Sequence, residues 1–191
     1  MKYLFYQLAI ISCALLLAGC SKPAFQGSEL SQTNIGGGFE LVDMHGKTRT
    51  LADFHGKIAV IFFGYTSCPD VCPTTLAELR TTMADLGEQS KDVQVLFISV
   101  DPERDTPALL SQYVPAFHPS FIGLTGSKQQ IDQAVKNYRA VYQKQGKDQH
   151  YTVDHTAGSY LIDKEGNTRV LVNYGAGASV FTHDIKLLLA E

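Results

Sequence analysis

Ile58-Ala59-Val60-Ile61-Phe62-Phe63 runs through Gly64-Tyr65-Thr66-Ser67 into Cys68-Pro69-Asp70-Val71-Cys72-Pro73, and this stretch decides the architecture of the chain. Six consecutive apolar residues ahead of a glycine read as a strand buried on both faces, the pattern of a sheet covered by helices on either side. After Pro73, Leu76, Leu79, Met83 and Leu86 recur at helical spacing. The two cysteines therefore lie where a central strand turns into a helix.

Working outward, residues 93–100, apolar but for Gln94 and Ser99, form a second strand, followed by the loop Asp101-Pro102-Glu103-Arg104-Asp105-Thr106-Pro107. Thr106 suits an N-cap and Pro107 a first helical residue, which predicts a helix over 108–117. A short strand at 121–124 precedes a helix at 128–138. Residues 160–163 and 169–173 flank the turn Lys164-Glu165-Gly166-Asn167 as a hairpin, and 179–189 close the chain as a helix. Upstream, 39–42 and 48–51 pair across Asp43-Met44-His45-Gly46-Lys47. This order predicts an α/β fold, a thioredoxin-like three-layer sandwich with a mixed central sheet and an N-terminal β-hairpin extension.

Residues 1–19 read as an export signal: Lys2, an apolar run over 4–17, then small residues before Cys20. The run is shorter than the ~20 residues a membrane-spanning helix needs. Leu17-Ala18-Gly19-Cys20 resembles the lipobox of bacterial lipoproteins, which implies cleavage before Cys20 and a lipid anchor on it. Residues 20–38, polar and small and ending in Gly36-Gly37-Gly38, are expected to be a flexible tether with a reach of roughly 25 Å. Residues 39–191 are then one domain. A net charge of -3 with 18% charged residues offers no basic surface for nucleic acid.

Processing of this kind removes Cys13 and consumes Cys20, so Cys68 and Cys72 are the remaining thiols of the chain's four cysteines. Outside the cytoplasm an isolated pair normally oxidises, unless a reductant or a metal keeps it reduced. Cysteines at i and i+4 at a helix N-terminus feel the helix dipole, which is expected to lower thiol pKa and favour thiolates. Three intervening residues fit neither the two-residue redox motif nor haem attachment. Metal binding, a redox dithiol and a structural disulfide all remain open on the spacing alone. The acidic loop 101–107 is read as loop closure and helix capping, with a carboxylate site for a metal or a docking partner as its alternative.

Three blocks carry a family resemblance: Gly64 to Leu76, Phe97 to Pro107, and Val153-Asp154-His155-Thr156 with Tyr160-Leu161-Ile162-Asp163. They resemble, in order and separation, the Sco/SenC family of copper-handling cytochrome c oxidase assembly proteins, from about residue 35 to the C-terminus. The resemblance implies one copper per chain, Cu(I) or Cu(II), held by Cys68, Cys72 and His155. Two soft thiolates and an imidazole suit Cu(I) and leave room for further donors to Cu(II). The second imidazole nitrogen needs an orienting acceptor, for which Asp154 or a backbone carbonyl are the candidates. Where the family commonly has Ser after the histidine, this chain has Thr156 and keeps the hydroxyl. His45, His55, His118, His150 and His183 are read as surface or turn residues, with His150 sharing a loop with His155.

The function so implied is that of a metallochaperone and not an enzyme. It would be tethered to a bacterial cell membrane, with its domain on the periplasmic or extracytoplasmic side. It would receive copper from a periplasmic donor, with a thiol-disulfide reductant keeping Cys68 and Cys72 from closing as a disulfide, and would load the binuclear copper site of cytochrome c oxidase subunit II. The alternatives are a thiol-disulfide reductase that maintains the oxidase cysteines, and a copper or redox sensor.

Overall fold

The structure is a computed structural model that describes residues 24–146 and 151–191. The export signal expected at 1–19, the lipidation site expected at Cys20, and His150 lie outside the described residues. Ten strands and four α-helices are found among the described residues. The strands are β1 (Ser28–Glu29), β2 (Glu40–Asp43), β3 (Thr48–Thr50), β4 (Ile58–Gly64), β5 (Val93–Ser99), β6 (Ile122–Thr125), β7 (Tyr142–Gln145), β8 (Thr152–His155), β9 (Ser159–Ile162) and β10 (Thr168–Val172). The helices are α1 (Val71–Leu86), α2 (Pro107–Tyr113), α3 (Lys128–Asn137) and α4 (Ala178–Ala190).

Eight strands form one sheet in the order β1-β10-β9-β4-β5-β6-β2-β3. β4, β5 and β6 are parallel at its centre, while β9 pairs antiparallel with β4, β10 antiparallel with β9, and β2 antiparallel with β6. All seven residues of β4 and all seven of β5 are buried, as the apolar run of β4 and the largely apolar β5, broken by Gln94 and Ser99, lead one to expect. Successive side chains on β4 point to opposite faces. Phe62 meets Phe97 at 6.0 Å between ring centroids on one face, whereas Phe63 meets Tyr138, at the end of α3, at 5.7 Å on the other. α1 and α4 touch through the Thr82 hydroxyl, which donates to the Ala178 carbonyl at 3.3 Å. The result is the expected thioredoxin-like sandwich of helix, mixed sheet and helix.

Local sequence sets the helix ends. The Thr106 hydroxyl accepts from the Leu109 amide at 3.2 Å with Pro107 opening α2, as the loop sequence predicts. α2 stops at Tyr113, short of the expected 117. α1 begins at Val71 with Asp70 as N-cap, so Cys72 stands in its first turn and Cys68 precedes it. The two cysteines thus lie at the expected strand-to-helix junction, with Cys72 alone inside the helix and Cys68 on the loop before it.

The expected flexible tether over 20–38 also needs correction from residue 24 onward. β1 pairs with the edge strand β10, the Gln26 and Gly27 amides donate to Asp184 at 2.8 Å each, and Leu30 is buried. Hydrogen bonds hold this segment, and a two-residue strand has no hydrophobic periodicity to announce it. No helix among the described residues is long and apolar enough to cross a membrane.

Parallel β4 and β5 end side by side at Gly64 and Ser99. Their exit loops, residues 65–70 and 100–106, therefore emerge at one edge of the sheet, where open α/β folds place ligands. Above that edge lies a separate two-stranded sheet, β7 paired with β8, which sequence periodicity misses because Tyr142-Gln143-Lys144-Gln145 is largely polar.

Candidate metal centre

Cys68, Cys72 and His155 converge here, with one ligand atom from each lying within 4.8 Å of the others. Among the described residues no other group of three or more His, Cys, Asp or Glu side chains approaches in this way. Cys68 is partly exposed on the loop after β4, Cys72 is fully buried in α1, and His155 is the half-buried last residue of β8. Cys72 Sγ lies 3.6 Å from His155 Nε2.

The histidine geometry selects the ligand nitrogen. His155 Nδ1 is 3.0 Å from the Thr156 carbonyl, which accepts and never donates, so Nδ1 carries the proton. Nε2 keeps its lone pair and faces the sulfurs. Burial lowers the imidazole pKa, opposed by the bond to Thr156 and the charge of Asp154, and so favours the neutral ring a metal needs. The backbone carbonyl is thus the orienting acceptor. Asp154, the other candidate for that role, is turned away to accept from the Gln145 side chain at 2.8 Å, because adjacent residues of a strand face opposite sides.

Aromatic rings fix the imidazole laterally. Tyr65 stands edge-on to it at 5.9 Å and 89°, and Phe62 at 6.1 Å and 71°. Tyr65 is buried; burial pushes its phenol pKa up, and the group lies within hydrogen-bond reach of the Val153 backbone and the Cys68 side chain. Neither ring was singled out by the sequence as a site residue. Tyr65 directly follows the buried run of β4, where alternation with Gly64 offered no sign of its contact with β8.

The electrostatics of Cys72 overturn the expectation drawn from the helix dipole. Burial pushes its thiol well above the ordinary range, the hydrogen bond from the Tyr65 amide opposes this, and Cys68 and Asp105 add to the rise. Desolvation of a buried thiolate exceeds what one helical end supplies. Asp105 is itself fully buried and raised by burial, while it accepts from the Thr66 amide at 3.0 Å, the Thr66 hydroxyl at 2.6 Å and the Ser99 hydroxyl at 2.7 Å. It ties down the cysteine loop and takes no place among the ligand atoms. Neither Asp101 nor Asp105 belongs to the cluster, so the reading of loop 101–107 as a metal carboxylate site is set aside.

Of the other histidines, His45 and His55 are exposed, His118 bonds to Ser120, and His183 pairs with Asp184 at 2.8 Å. None of these four described histidines joins the cluster of ligand atoms. The set of two thiols and one neutral imidazole can hold a soft monovalent cation, and it leaves coordination positions open. The two thiols can alternatively close as a disulfide.

A protein-family model described as SCO1/SenC matches residues 27–190. The SCO2-like protein RP587 of Rickettsia prowazekii is 42% identical over 135 residues, which cover 69% of this chain and 66% of that protein. The chain thus spans just under two thirds of the length of that relative. The structure of Bradyrhizobium japonicum ScoI with copper bound is 42% identical, with a TM-score of 0.74, 81% of this chain covered and 99% of that one. BsSco, described as a member of the Sco family of cytochrome c oxidase assembly proteins that has a disulfide switch, is 25% identical with a TM-score of 0.66, covering 88% of this chain and 97% of its own.

Proposed function

As a chain that belongs to the SCO1/SenC family, this protein is, we propose, a membrane-tethered copper chaperone that loads the binuclear copper site of cytochrome c oxidase subunit II. The observation that carries this reading is the approach of the Cys68, Cys72 and His155 ligand atoms to within 4.8 Å of one another, with Nε2 of the histidine turned to the sulfur. Similarity to a ScoI whose structure has copper bound supports copper as the cargo. A lipid on Cys20 would provide the tether.

The site suits transfer more than storage. Each thiol that takes up copper gives up a proton, so loading is pH-dependent. Burial makes a bare Cys72 thiolate costly, so when copper departs the sulfur recovers its proton and does not hold the metal back by charge. Cys68 lies toward solvent, and an incoming thiolate of the receiving protein can attack the metal from that side while His155 and Cys72 still hold it. Copper then moves from ligand to ligand without being released as a free ion.

The test is copper stoichiometry on the reduced domain from residue 24. The unsubstituted protein should take up one copper. Cys68→Ser and Cys72→Ser should each abolish tight binding, while His155→Ala should weaken Cu(II) more than Cu(I), since two thiolates alone hold Cu(I) linearly. In cells, deletion should depress oxidase activity most when copper is scarce, with rescue by added copper. The reductase reading draws on the disulfide switch of BsSco and makes the opposite demand: a copper-independent thiol phenotype, with His155→Ala leaving disulfide exchange intact. No copper uptake by the fully reduced protein would sink the chaperone reading.

A further inference from the structure

The imidazole of the site comes from a hairpin that stands apart from the main sheet. Among the described strands β7 and β8 pair with each other, and the eight-stranded sheet does not include them. A two-stranded ribbon is marginal by itself in water. The place of His155 over the cysteine loop therefore depends on what holds β8 to the body of the protein.

Tyr151 directly precedes β8, and it is gripped from the exit loop of β5. Asp101, 0% exposed, accepts from the Tyr151 hydroxyl at 2.6 Å on Oδ1 and from Arg104 Nε on Oδ2. Arg104 Nη1 donates to the Tyr151 carbonyl at 3.0 Å, and its guanidinium carbon lies 3.7 Å from the centroid of the Tyr151 ring. The guanidinium also approaches the Tyr65 ring at 5.7 Å, the ring that stands against the imidazole. The loop itself is rigid. The Asp101 carbonyl accepts from the Arg104 and Asp105 amides at 3.1 and 2.9 Å, and the Asp101 amide donates to Ser99 Oγ at 3.0 Å.

Asp105 of the same loop holds Thr66, two residues before Cys68. One turn of chain thus reaches in two directions, to the cysteine arm through Asp105 and to the histidine arm through Asp101 and Arg104. The buried Asp101 carboxylate is costly to desolvate, and it persists because both its oxygens are bonded, to Tyr151 and to Arg104; the Arg104 side chain is partly exposed, and its Nη2 has no partner among the described residues.

We propose that Asp101, Arg104 and Tyr151 are positioning residues that fix His155 against Cys68 and Cys72, and that this bracket sets how strongly the site holds Cu(II) relative to Cu(I). The proposal rests on the copper reading given above. Cu(I) is satisfied by two thiolates, whereas Cu(II) needs the imidazole, so loosening the hairpin penalises the oxidised ion selectively.

The experiment compares the reduced domain with Tyr151→Ala, Tyr151→Phe, His155→Ala and the double substitution Tyr151→Ala/His155→Ala, each titrated with Cu(I) and Cu(II) against a chromophoric chelator. The thiolate-to-Cu(II) charge-transfer band is followed in parallel. Tyr151→Ala should lower Cu(II) affinity by about 10- to 100-fold, the usual cost of losing an outer support of a ligand, and shift the band, with Cu(I) affinity retained. Tyr151→Phe, which keeps the ring on Arg104, should fall between, and it carries the same comparison if the alanine variant fails to fold. In the His155→Ala background Tyr151→Ala should remove nothing more, because both changes act through one ligand. Wild-type Cu(II) binding in both Tyr151 variants, or an additive loss in the double substitution, overturns the positioning role alone. Absence of copper uptake by the unsubstituted domain overturns the metal reading and this inference with it.

Discussion

Gly64 and Cys72 share a space with no room for another carbon: a Cβ on Gly64 would stand 2.8 Å from the Cys72 sulfur and 2.7 Å from Cε2 of Phe97. Both contacts are below what real Cβ atoms tolerate, and Phe97 is fully buried with nowhere to retreat. The glycine that ends β4 is therefore there to admit the sulfur.

Gly64→Ala should accordingly displace Cys72 Sγ from His155 Nε2 and weaken copper binding. Overpacking of this kind costs about 1–3 kcal/mol of stability. Denaturant unfolding and copper titration of the same sample check both effects. A variant that matches the parent in both would show that the sulfur has room.

The two thiols should differ in reactivity. Cys68 is partly exposed, while Cys72 is fully buried with its thiol pushed up by burial. Alkylation depends on accessible thiolate. Brief iodoacetamide treatment of reduced, copper-free protein, read by peptide mass spectrometry, should therefore label Cys68 first. Labelling of Cys72 ahead of Cys68 would contradict the burial described here.

Acid should destabilise the copper-free protein partly through His155. Burial holds its folded-state pKa below the ordinary value of 6.5. The unfolded chain then binds the proton first, so stability falls as pH drops below 6.5 and this residue adds no slope above it. Asp105, raised above 3.8 by burial, contributes with the opposite sign at lower pH, where its stabilisation fades as pH rises. Urea unfolding between about pH 5 and 7 should show a shallower dependence for His155→Ala than for the parent. Equal slopes would mean that the imidazole is not desolvated in the fold.

The N-terminal segment should be separable from the metal site. Asp184, fully buried, accepts from Gln26 and Gly27 and pairs with His183. Hydrogen bonds to a charged group contribute about 1.5–3 kcal/mol each, so Asp184→Ala should lower stability measurably and speed hydrogen exchange at the Gln26 and Gly27 amides. Copper stoichiometry should not change. Exchange at those two amides as slow as in the parent would count against the anchoring described.

What could be read from sequence follows the physics of each element. β4 and β5 announce themselves because burial on both faces demands largely apolar runs, and Thr106 with Pro107 marks the start of α2 by local chemistry alone. Cys68, Cys72 and His155 were reached through motif resemblance, and they meet in space. β7 and β8 stayed hidden because Gln143, Lys144 and Gln145 are exposed and carry no alternation. Side-chain direction was equally hidden: without β8 as a strand, nothing told Asp154 from the Thr156 carbonyl as the partner of His155. The rise in the Cys72 pKa depends on the depth at which α1 packs, which helical position alone does not reveal.

Cys72 and His155, whose side chains meet at 3.6 Å, are 83 positions apart in the sequence. A chain taking shape from its N-terminus holds both thiols long before the last ligand is in place, and closing so wide a loop comes late among folding events. An immature molecule therefore offers copper two sulfurs and no imidazole. Only the finished fold presents all three donors, and a full Cu(II) spectrum would serve as a reporter of maturation during biogenesis.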